Sequence, residues 1–416
     1  MFRLLVFLVC VLGWSDLTQP RTHTRMSYFH FPPIAAAAPA AEIRRLAVLA
    51  DATGTDKSLL RISPDGELLA TGTGSGPVRL WDTRSGKLVA DLHGTEGQAP
   101  QAFSPVGDRL LASNTLKSVS LFDLNAMKLR WYVKLEKLLG SINFFETFSP
   151  NGELFIVDSV GKGRVTVWET KTARMLAFRR CSNPLFHSTF SPDSKSVLTS
   201  CGDRKAMLWD AQTGNIIAEF SNPEDVLVAV FGPDSKSVTT ITITGHVINW
   251  DATTGRMKNS WQGRDAQIYY AAFSPDGDVL ATVCWNGTAI LWDVEKQKQK
   301  YELRVSRSAT HVNFSPDSRF LTANGHRGEV AVWNVADGSR VLSITDHRKD
   351  LDSAVFSIDS RFLTSSSADA VNIWDLTGKV HVAKLDATLL GLFSKDGKLL
   401  VTGGQKNTVT VWEVVP

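Results

Sequence analysis

Short apolar and polar runs alternate along the chain from about Ile43 onward, and no stretch of this region shows helical spacing. Apolar residues that recur at every second position predict half-buried strands. One unit contains a Pro-Asp-Gly turn, an apolar run "VLAT" at 279 and a third run that includes Trp292. Two units earlier, the turn sequence "DAQTG" at 210 leads from the third run to a fourth, "NIIAEF" at 215. Each unit therefore predicts four short strands joined by tight turns.

This unit occurs nine times. Variants of the turn Phe-Ser-Pro-Asp-Gly begin at positions 62, 103, 148, 190, 231, 273, 314, 356 and 393. An aromatic residue follows each turn at a nearly constant distance, and these aromatics are Trp81, Phe122, Trp168, Trp209, Trp250, Trp292, Trp333, Trp374 and Trp412. Two markers that keep the same phase over units of about forty residues indicate a repeat architecture.

The pattern resembles the WD-repeat β-propeller family over about nine tenths of the chain. The resemblance implies an all-β fold, with a single β-propeller of four-stranded blades. Members of the family often hold each blade with a buried network of His, Asp, Ser or Thr, and Trp. Only fragments of that network are present here: Asp203, Asn286 and Asp369 precede their tryptophans, and His347 is placed to meet Asp369 and Trp374. We therefore expect apolar packing and strand pairing to hold most blades.

Strand counting at the two ends of the repeats predicts how the propeller closes. The ninth unit ends at Pro416 just after its third strand, whereas "IRRLAVLA" from Ile43 is a surplus strand ahead of the first unit. If the surplus strand completes the ninth blade, nine blades close without an unpaired edge. The alternative is seven or eight closed blades with leftover units. We expect a monomeric ring in which Trp209, Trp292 and Trp333 are buried between neighbouring blades.

The first fifteen residues differ from the repeats. Arg3 precedes an apolar run from Leu4 to Trp14, which is typical of a secretory signal peptide and too short for a transmembrane helix. We therefore expect export, secreted or periplasmic. The alternative is that Met26 is the true start and the protein is cytoplasmic. The predicted divisions of the chain are a signal peptide at 1–15, a flexible linker at 16–42 and the WD-repeat propeller at 43–416.

Composition and charge exclude several classes of protein. The chain has 45 basic and 42 acidic residues, evenly scattered, so we expect no nucleic-acid partner. Its 43% hydrophobic content is ordinary for a soluble globular protein. The four cysteines, Cys10, Cys181, Cys201 and Cys284, have neither metal-site spacing nor the density of a disulfide framework. We expect all four to be structural, and we expect the three that remain after removal of the signal peptide to be unpaired, since Cys201 and Cys284 lie two blades apart.

The sequence contains no motif typical of a catalytic or cofactor site. Nucleophile-elbow, zinc-protease and phosphate-loop motifs are absent. His187 and His311 fall in predicted first strands, where a channel or core histidine is favoured over a metal ligand. We therefore predict a non-catalytic protein-interaction scaffold without cofactor or metal, as the family resemblance implies. The alternative is a propeller enzyme or cofactor-binding protein with a site at the central channel, because one fold hosts many functions.

One turn position carries large residues in three successive units. The residue seven positions before the closing aromatic falls in the turn between the second and third strands, and it is Ile243, Trp285 and His326 in these units. The neighbouring loops contain Arg264, Arg304, Arg307 and Arg327. Because interface hot spots are rich in Trp and Arg, we predict that these residues bind the protein or peptide partner. The alternative is that Trp285 packs between blades.

Overall fold

The structure is a computed structural model that describes most of the chain from residue 42 onward. The described residues are 42–49, 60–72, 76–114, 118–135, 148–159, 163–181, 185–262, 268–284, 286–296, 298–304, 309–325, 328–345, 347, 351–387, 391–394, 396–403 and 408–415. In these ranges 35 strands form nine antiparallel sheets, and no α-helix is found. The sheets are the nine blades of a β-propeller, which confirms the fold class and the blade number that the repeats predict.

Eight blades show four strands, and blade three shows three, with Phe148 bridged to Phe155 where its first strand belongs. Within each blade, strands adjacent in sequence pair with each other. The strands ahead of blade four are β1 Glu42–Leu49; β2 Leu60–Ile62, β3 Leu68–Thr71, β4 Val78–Asp82 and β5 Leu88–Leu92 (blade one); β6 Ala99–Phe103, β7 Arg109–Asn114, β8 Ser118–Asp123 and β9 Lys128–Lys134 (blade two); and β10 Leu154–Ser159, β11 Arg164–Glu169 and β12 Met175–Arg180 (blade three).

Blades four to six follow the same order. They comprise β13 Leu185–Phe190, β14 Ser196–Cys201, β15 Lys205–Asp210 and β16 Ile216–Ser221 (blade four); β17 Val226–Phe231, β18 Ser237–Thr242, β19 His246–Asp251 and β20 Met257–Gln262 (blade five); and β21 Ile268–Phe273, β22 Val279–Cys284, β23 Thr288–Asp293 and β24 Lys298–Arg304 (blade six). The remaining strands are β25 Ala309–Phe314, β26 Phe320–Gly325, β27 Val330–Asn334 and β28 Arg340–Ile344 (blade seven); β29 Leu351–Phe356, β30 Phe362–Ser367, β31 Val371–Asp375 and β32 Val380–Leu385 (blade eight); and β33 Gly391–Phe393, β34 Leu399–Gly403 and β35 Val409–Val415 (blade nine).

The first strand closes the propeller. β1 pairs antiparallel with β35, from Glu42 opposite Val415 to Leu49 opposite Val409. Leu49 is buried in the same apolar cluster as Val409 of blade nine and Trp81 of blade one. The surplus strand ahead of the first unit is therefore the outermost strand of the ninth blade, as strand counting predicts, and it covers an edge of β35 that would otherwise be unpaired.

The apolar clusters lie mainly between neighbouring blades. Trp209 is buried with residues of blade three, Trp292 with residues of blade five, and Trp333 with residues of blade six. Their side chains are 0%, 4% and 2% exposed. The predicted burial of these three tryptophans between blades is confirmed. Since each sheet is apolar on both faces, each blade depends on its two neighbours for most of its core.

The Ser-Pro-Asp turns bring consecutive blades into contact. In blade six, Ser274 Oγ donates to Asp276 Oδ1 at 2.5 Å and accepts from Val279 N at 3.0 Å. The next turn residue, Gly277, has φ +81°, and a Cβ there would come within 2.5 Å of Pro233 in the turn of blade five. At the equivalent position of blade seven, Ser318 also has a positive φ, +63°, and its hydroxyl accepts from Asp276 N at 3.2 Å. Glycine at this position therefore permits close contact with the preceding turn, and serine adds a hydrogen bond to it.

Several tryptophans make a hydrogen bond that the repeat analysis did not predict. The indole Nε1 donates to the hydroxyl of the threonine ten residues earlier, on the second strand, at 2.8–2.9 Å. The pairs are Trp81–Thr71, Trp250–Thr240, Trp292–Thr282 and Trp412–Thr402. In blade four the bond is missing: Thr199 Oγ1 lies 3.4 Å from Met207 O, and Trp209 Nε1 has no hydrogen-bond partner among the described residues.

Blade eight contains the predicted polar network. His347 is buried, with Nδ1 2.8 Å from Ser367 Oγ and Nε2 2.8 Å from Ser365 Oγ. Ser367 donates to Asp369, whose Oδ1 is 3.9 Å from His347 Nδ1, and Trp374 Nε1 donates to Ser365 Oγ at 3.4 Å. The predicted association of His347 with Asp369 and Trp374 is confirmed.

We predict that Thr282→Val destabilises the protein more than Thr199→Val. Both threonines are buried ten residues before a tryptophan, but only Thr282 accepts the indole proton. Loss of that acceptor leaves a buried donor unsatisfied and should cost about 1–3 kcal/mol in the free energy of unfolding, measured by urea denaturation. Thr199→Val removes only a 3.4 Å contact and should cost less. Equal costs would show that the indole hydrogen bond does not contribute.

Candidate interaction face

Turns between successive strands alternate between the two ends of an antiparallel blade. The Ser-Pro-Asp turns and the turns between third and fourth strands therefore open on one face, which we term the Ser-Pro-Asp face. The turns between second and third strands and the connections from blade to blade open on the opposite face, which we term the loop face. The predicted partner-binding turns belong to the loop face.

Ile243 lies at the tip of its turn and is 42% exposed. Gly245 N donates to Thr242 O at 3.0 Å, with Gly245 at φ +90°, so the turn is tight. Ile243 N donates to Asp225 O in the connection that precedes blade five, also at 3.0 Å. The exposed side chain is thus carried by a backbone that is hydrogen-bonded on both sides, as a preorganised contact requires.

Glu224 holds the same turn from the neighbouring connection. Its Oε2 accepts from Thr244 Oγ1 at 2.8 Å and lies 3.3 Å from His246 Nδ1. Desolvation acts to raise the pKa of Glu224, but hydrogen bonds from Thr244, Thr242 and His246 outweigh it and leave the pKa below its ordinary value. Glu224 is therefore an anion at neutral pH that links the turn of Ile243 to the preceding connection.

Arg304 is the last residue of β24 and its side chain is exposed. In the sheet it lies opposite Thr288, the first residue of β23, and is therefore on the loop face. The adjacent turn between β22 and β23 has a hydrogen bond from Gly287 N to Cys284 O. The carbonyl of Arg304 accepts a hydrogen bond from the Arg340 guanidinium of blade seven. The structure thus places two predicted residues, Ile243 and Arg304, on the loop face of adjacent blades.

Five predicted residues are not covered by the described ranges. They are Trp285, His326, Arg264, Arg307 and Arg327. Among the other residues at the same turn position, Ser367 is not at a tip: it ends β30 and is buried in the network of His347. The rule that places this position at an exposed turn therefore holds for Ile243 and fails for blade eight.

The prediction that the cysteines are unpaired is wrong for two of them. Cys181 and Cys201 form a disulfide, with their Cα atoms 5.7 Å apart. Cys181 directly follows β12, the outermost strand of blade three, and Cys201 ends β14, the second strand of blade four. The prediction compared Cys201 with Cys284, two blades away, and overlooked that the connection leaving one blade passes the second strand of the next. Cys284 is free and buried, and burial raises the pKa of its thiol to about 11.

Asp158 is a buried acid between blades three and four. It lies on β10, is 2% exposed, and its Oδ2 accepts from Ser188 Oγ of blade four at 2.8 Å. Its other oxygen, Oδ1, has no hydrogen-bond partner among the described residues. Burial raises the pKa of Asp158 to about 7, although the hydrogen bond from Ser188 acts to lower it. Such a shift marks a candidate functional group, but here the carboxyl is enclosed between two blades, out of reach of a substrate in solvent.

Histidines and acids are the side chains that could ligate a metal ion. His187 and His311 lie in the first strands β13 and β25, as predicted, and His311 packs against the ring of Tyr270 with ring centres 5.2 Å apart. Within the described ranges, no three His, Cys, Asp or Glu residues are grouped closely enough to hold a metal ion. The same part of the chain contains no helix with the length and apolar character needed to cross a membrane.

Two comparisons of sequence agree with this architecture. Residues 179–210, 255–293 and 379–413 match the family model described as WD domain, G-beta repeat. Over 116 residues the chain is 24% identical to the small ribosomal subunit protein RACK1 of Schizosaccharomyces pombe (strain 972 / ATCC 24843). That match covers 25% of this chain and 37% of RACK1, well under two thirds of the relative's length.

A solved structure shows the same fold. The crystal structure of the computationally designed Ika8 protein superimposes with a TM-score of 0.58 at 16% sequence identity, covering 89% of this chain and 99% of Ika8. Together with the nine blades, these comparisons show a β-propeller in which three stretches of the chain match the WD-repeat family model. Proteins described by that model typically act as protein-interaction scaffolds.

We predict that Asp158→Asn stabilises the protein at about pH 8.5 and has little effect at about pH 4. The folded pKa of Asp158 lies above its value near 4 in the unfolded chain, so wild-type stability falls as pH rises between these two pKa values and stays low above pH 7. Asparagine carries no charge, so the variant should escape this loss, and urea denaturation at both pH values should show the difference.

The control is Asp375→Asn. Asp375 is also buried, but its Oδ2 accepts from the Arg361 guanidinium at 3.0 and 3.1 Å. This substitution leaves Arg361 without its partner and should destabilise the protein at pH 8.5. Destabilisation of the protein by Asp158→Asn at pH 8.5 would contradict the prediction, because it would mean that the folded protein stabilises the ionised Asp158 carboxylate.

Proposed function

We propose that the protein is a non-catalytic scaffold that binds a protein or peptide partner on the loop face of blades five to seven. The observation that carries this proposal is Ile243, an exposed apolar side chain on a turn braced by Glu224 and Asp225. Exposed apolar groups on rigid backbone lose little entropy on binding, which is why they act as anchors.

The residues proposed to surround this anchor follow from the repeat positions. Trp285 and His326 occupy the position of Ile243 in the next two units, and the arginines are Arg264, Arg304, Arg307 and Arg327. Arg304 lies on the loop face one blade away from Ile243. An aliphatic and aromatic centre with a cationic rim would suit a partner segment that presents apolar and acidic side chains.

We predict that Trp285→Ala and Ile243→Ala each weaken partner binding while leaving the melting temperature nearly unchanged. The loss for Trp285→Ala should be about 2 kcal/mol or more, the magnitude of a hot spot. The partner would be recovered by affinity purification with the mature chain, and its affinity measured by calorimetry.

The matched control is Ile217→Ala. Ile217 is 44% exposed, a fraction similar to the 42% of Ile243, but it lies on the outermost strand of blade four. This variant should bind like the wild type. A large fall in melting temperature for Trp285→Ala with unchanged binding would instead place the indole in the core.

We also infer that the protein is exported. The disulfide between Cys181 and Cys201 supports this proposal, because disulfides persist in oxidising compartments and are rare in the cytosol. The apolar run from Leu4 to Trp14 is the signal that would direct export. Both cysteines of the pair lie in the repeats, so the disulfide remains after removal of the first fifteen residues.

We predict that protein purified from its native host begins near Asp16 and carries one reactive thiol after denaturation. Alkylation without reductant should label Cys284 alone, and alkylation after reduction should add label at Cys181 and Cys201. Mass spectrometry reads both the terminus and the labels. A chain that begins at Met1 or Met26 with all its thiols reactive would contradict export.

A further inference from the structure

The Ser-Pro-Asp face contains a groove that no part of the loop-face proposal uses. A cavity of about 510 Å³ lies where the turns between third and fourth strands of blades three and four adjoin, next to the start of β7 and of β10. This volume falls within the range of sites that bind small molecules or short segments. Leu154 and Leu176 line it, and so does Met175, whose side chain is 41% exposed.

The blade-four wall of the groove is held rigidly. Gly214, at φ +70°, follows the wall residue Thr213, and a Cβ on it would lie 3.1 Å from Ala177 Cβ of blade three. The Gly214 carbonyl accepts from the Arg179 guanidinium. Thr213 is itself fixed, since its N and Oγ1 donate to Asp210 Oδ1 at 2.7 and 2.8 Å. A ligand would therefore meet a preformed wall and lose little affinity to reorganisation.

The charges that line the groove are unequally compensated. Glu169 accepts from the Thr172 hydroxyl and lies 3.9 Å from Arg174 Nε, and Glu153 accepts from an amide N–H of Asn151 at 3.2 Å. Glu169 therefore faces a cation, whereas Glu153 is hydrogen-bonded to a neutral amide and keeps its charge. By contrast, no hydrogen bond or ion pair of the Lys171 side chain is found within the described part of the chain, and Lys171 is exposed.

A second cation in the groove is only loosely engaged. The 3.9 Å separation between Arg174 Nε and Glu169 is at the limit for an ion pair, and the Arg174 side chain is 69% exposed. Arg109, the third cation, is already 3.5 Å from Asp108. Lys171 and Arg174 are therefore the two cations of the groove that remain available to pair with an occupant.

We propose that this groove binds an extended segment of a second partner protein, in which a large apolar side chain adjoins an acidic one. Leu154, Leu176 and Met175 would contact the apolar side chain, and Lys171 with Arg174 would pair with the carboxylate. The exposure of Met175 favours a peptide over a small molecule, because small ligands bury most of their surface in their sites. With binding on both faces, the propeller would bridge two proteins.

The test is selection of peptides on the full chain. A phage library of random octapeptides is selected on the wild-type protein and depleted on Lys171→Glu/Arg174→Glu. We expect the enriched peptides to share an acidic residue beside Leu, Ile, Met or Phe. The best peptide, synthesised with a fluorophore, should bind Lys171→Glu at least tenfold more weakly by fluorescence polarisation, and its Glu→Lys analogue should bind Lys171→Glu better than it binds wild type.

Two controls distinguish binding in this groove from a general effect of surface charge and from binding on the loop face. Lys236→Glu changes a lysine that is also exposed on the same face, in blade five, and should leave peptide affinity unchanged. Ile243→Ala alters the loop face and should also have no effect, so the two binding proposals succeed or fail separately. The groove proposal is overturned if no peptide is enriched, if enriched peptides lack an acid, or if Lys171→Glu and Lys236→Glu weaken binding equally.

Discussion

The structure depends on the packing of each blade against the next, continued around the ring until it closes on itself. A single blade is a sheet with two apolar faces, and it can bury them only against two neighbours. The N-terminal strand completes the last of these contacts. β1 pairs with β35 as the outermost strand of blade nine, and Leu49 packs with Val409 and with Trp81 of blade one. The apolar clusters of the other blades repeat this arrangement.

Polar interactions refine this frame and differ from blade to blade. The bond from Trp292 to Thr282 fixes an indole that is already buried, and the network of His347 does the same more fully in blade eight. Blade four lacks the bond at Trp209, and there a covalent link, Cys181–Cys201, joins it to blade three. The apolar packing is thus similar in all blades, whereas the polar and covalent links that add to it differ from blade to blade.

Much of this frame could be predicted from the sequence, because each unit repeats its turn and its aromatic in phase. The closure by β1 and the network of His347 followed from counting strands and from the family resemblance. The threonine ten residues before the tryptophan was visible in several units, Thr282 among them, but a single polar residue in an apolar run carries no signal of its partner. Alignment of the units on their tryptophans would have shown it.

Contacts between blades were harder to predict. Cys181 and Cys201 are 20 residues apart, and only the passage of one blade's last strand beside the next blade's second strand brings them together. The groove beside Lys171 likewise combines residues from three units, none unusual alone. Ile243 was predicted from its turn position, whereas Ser367, at the same position, is buried because His347 occupies the space beside it. The repeated residues therefore predict the blades and their order, whereas the candidate binding sites depend on side chains that differ from one repeat to the next.

Closure by the N-terminal strand is tested most directly by comparing a chain that begins at Ala41 with one that begins at Asp51. The second lacks β1 and therefore leaves the edge of β35 and the cluster around Val409 uncovered. Urea denaturation should show wild-type stability for the first chain and, for the second, a loss of at least the roughly 2–5 kcal/mol typical of removing one buried leucine such as Leu49, partly restored by added peptide 42–49. Equal stability of the two chains would contradict the account.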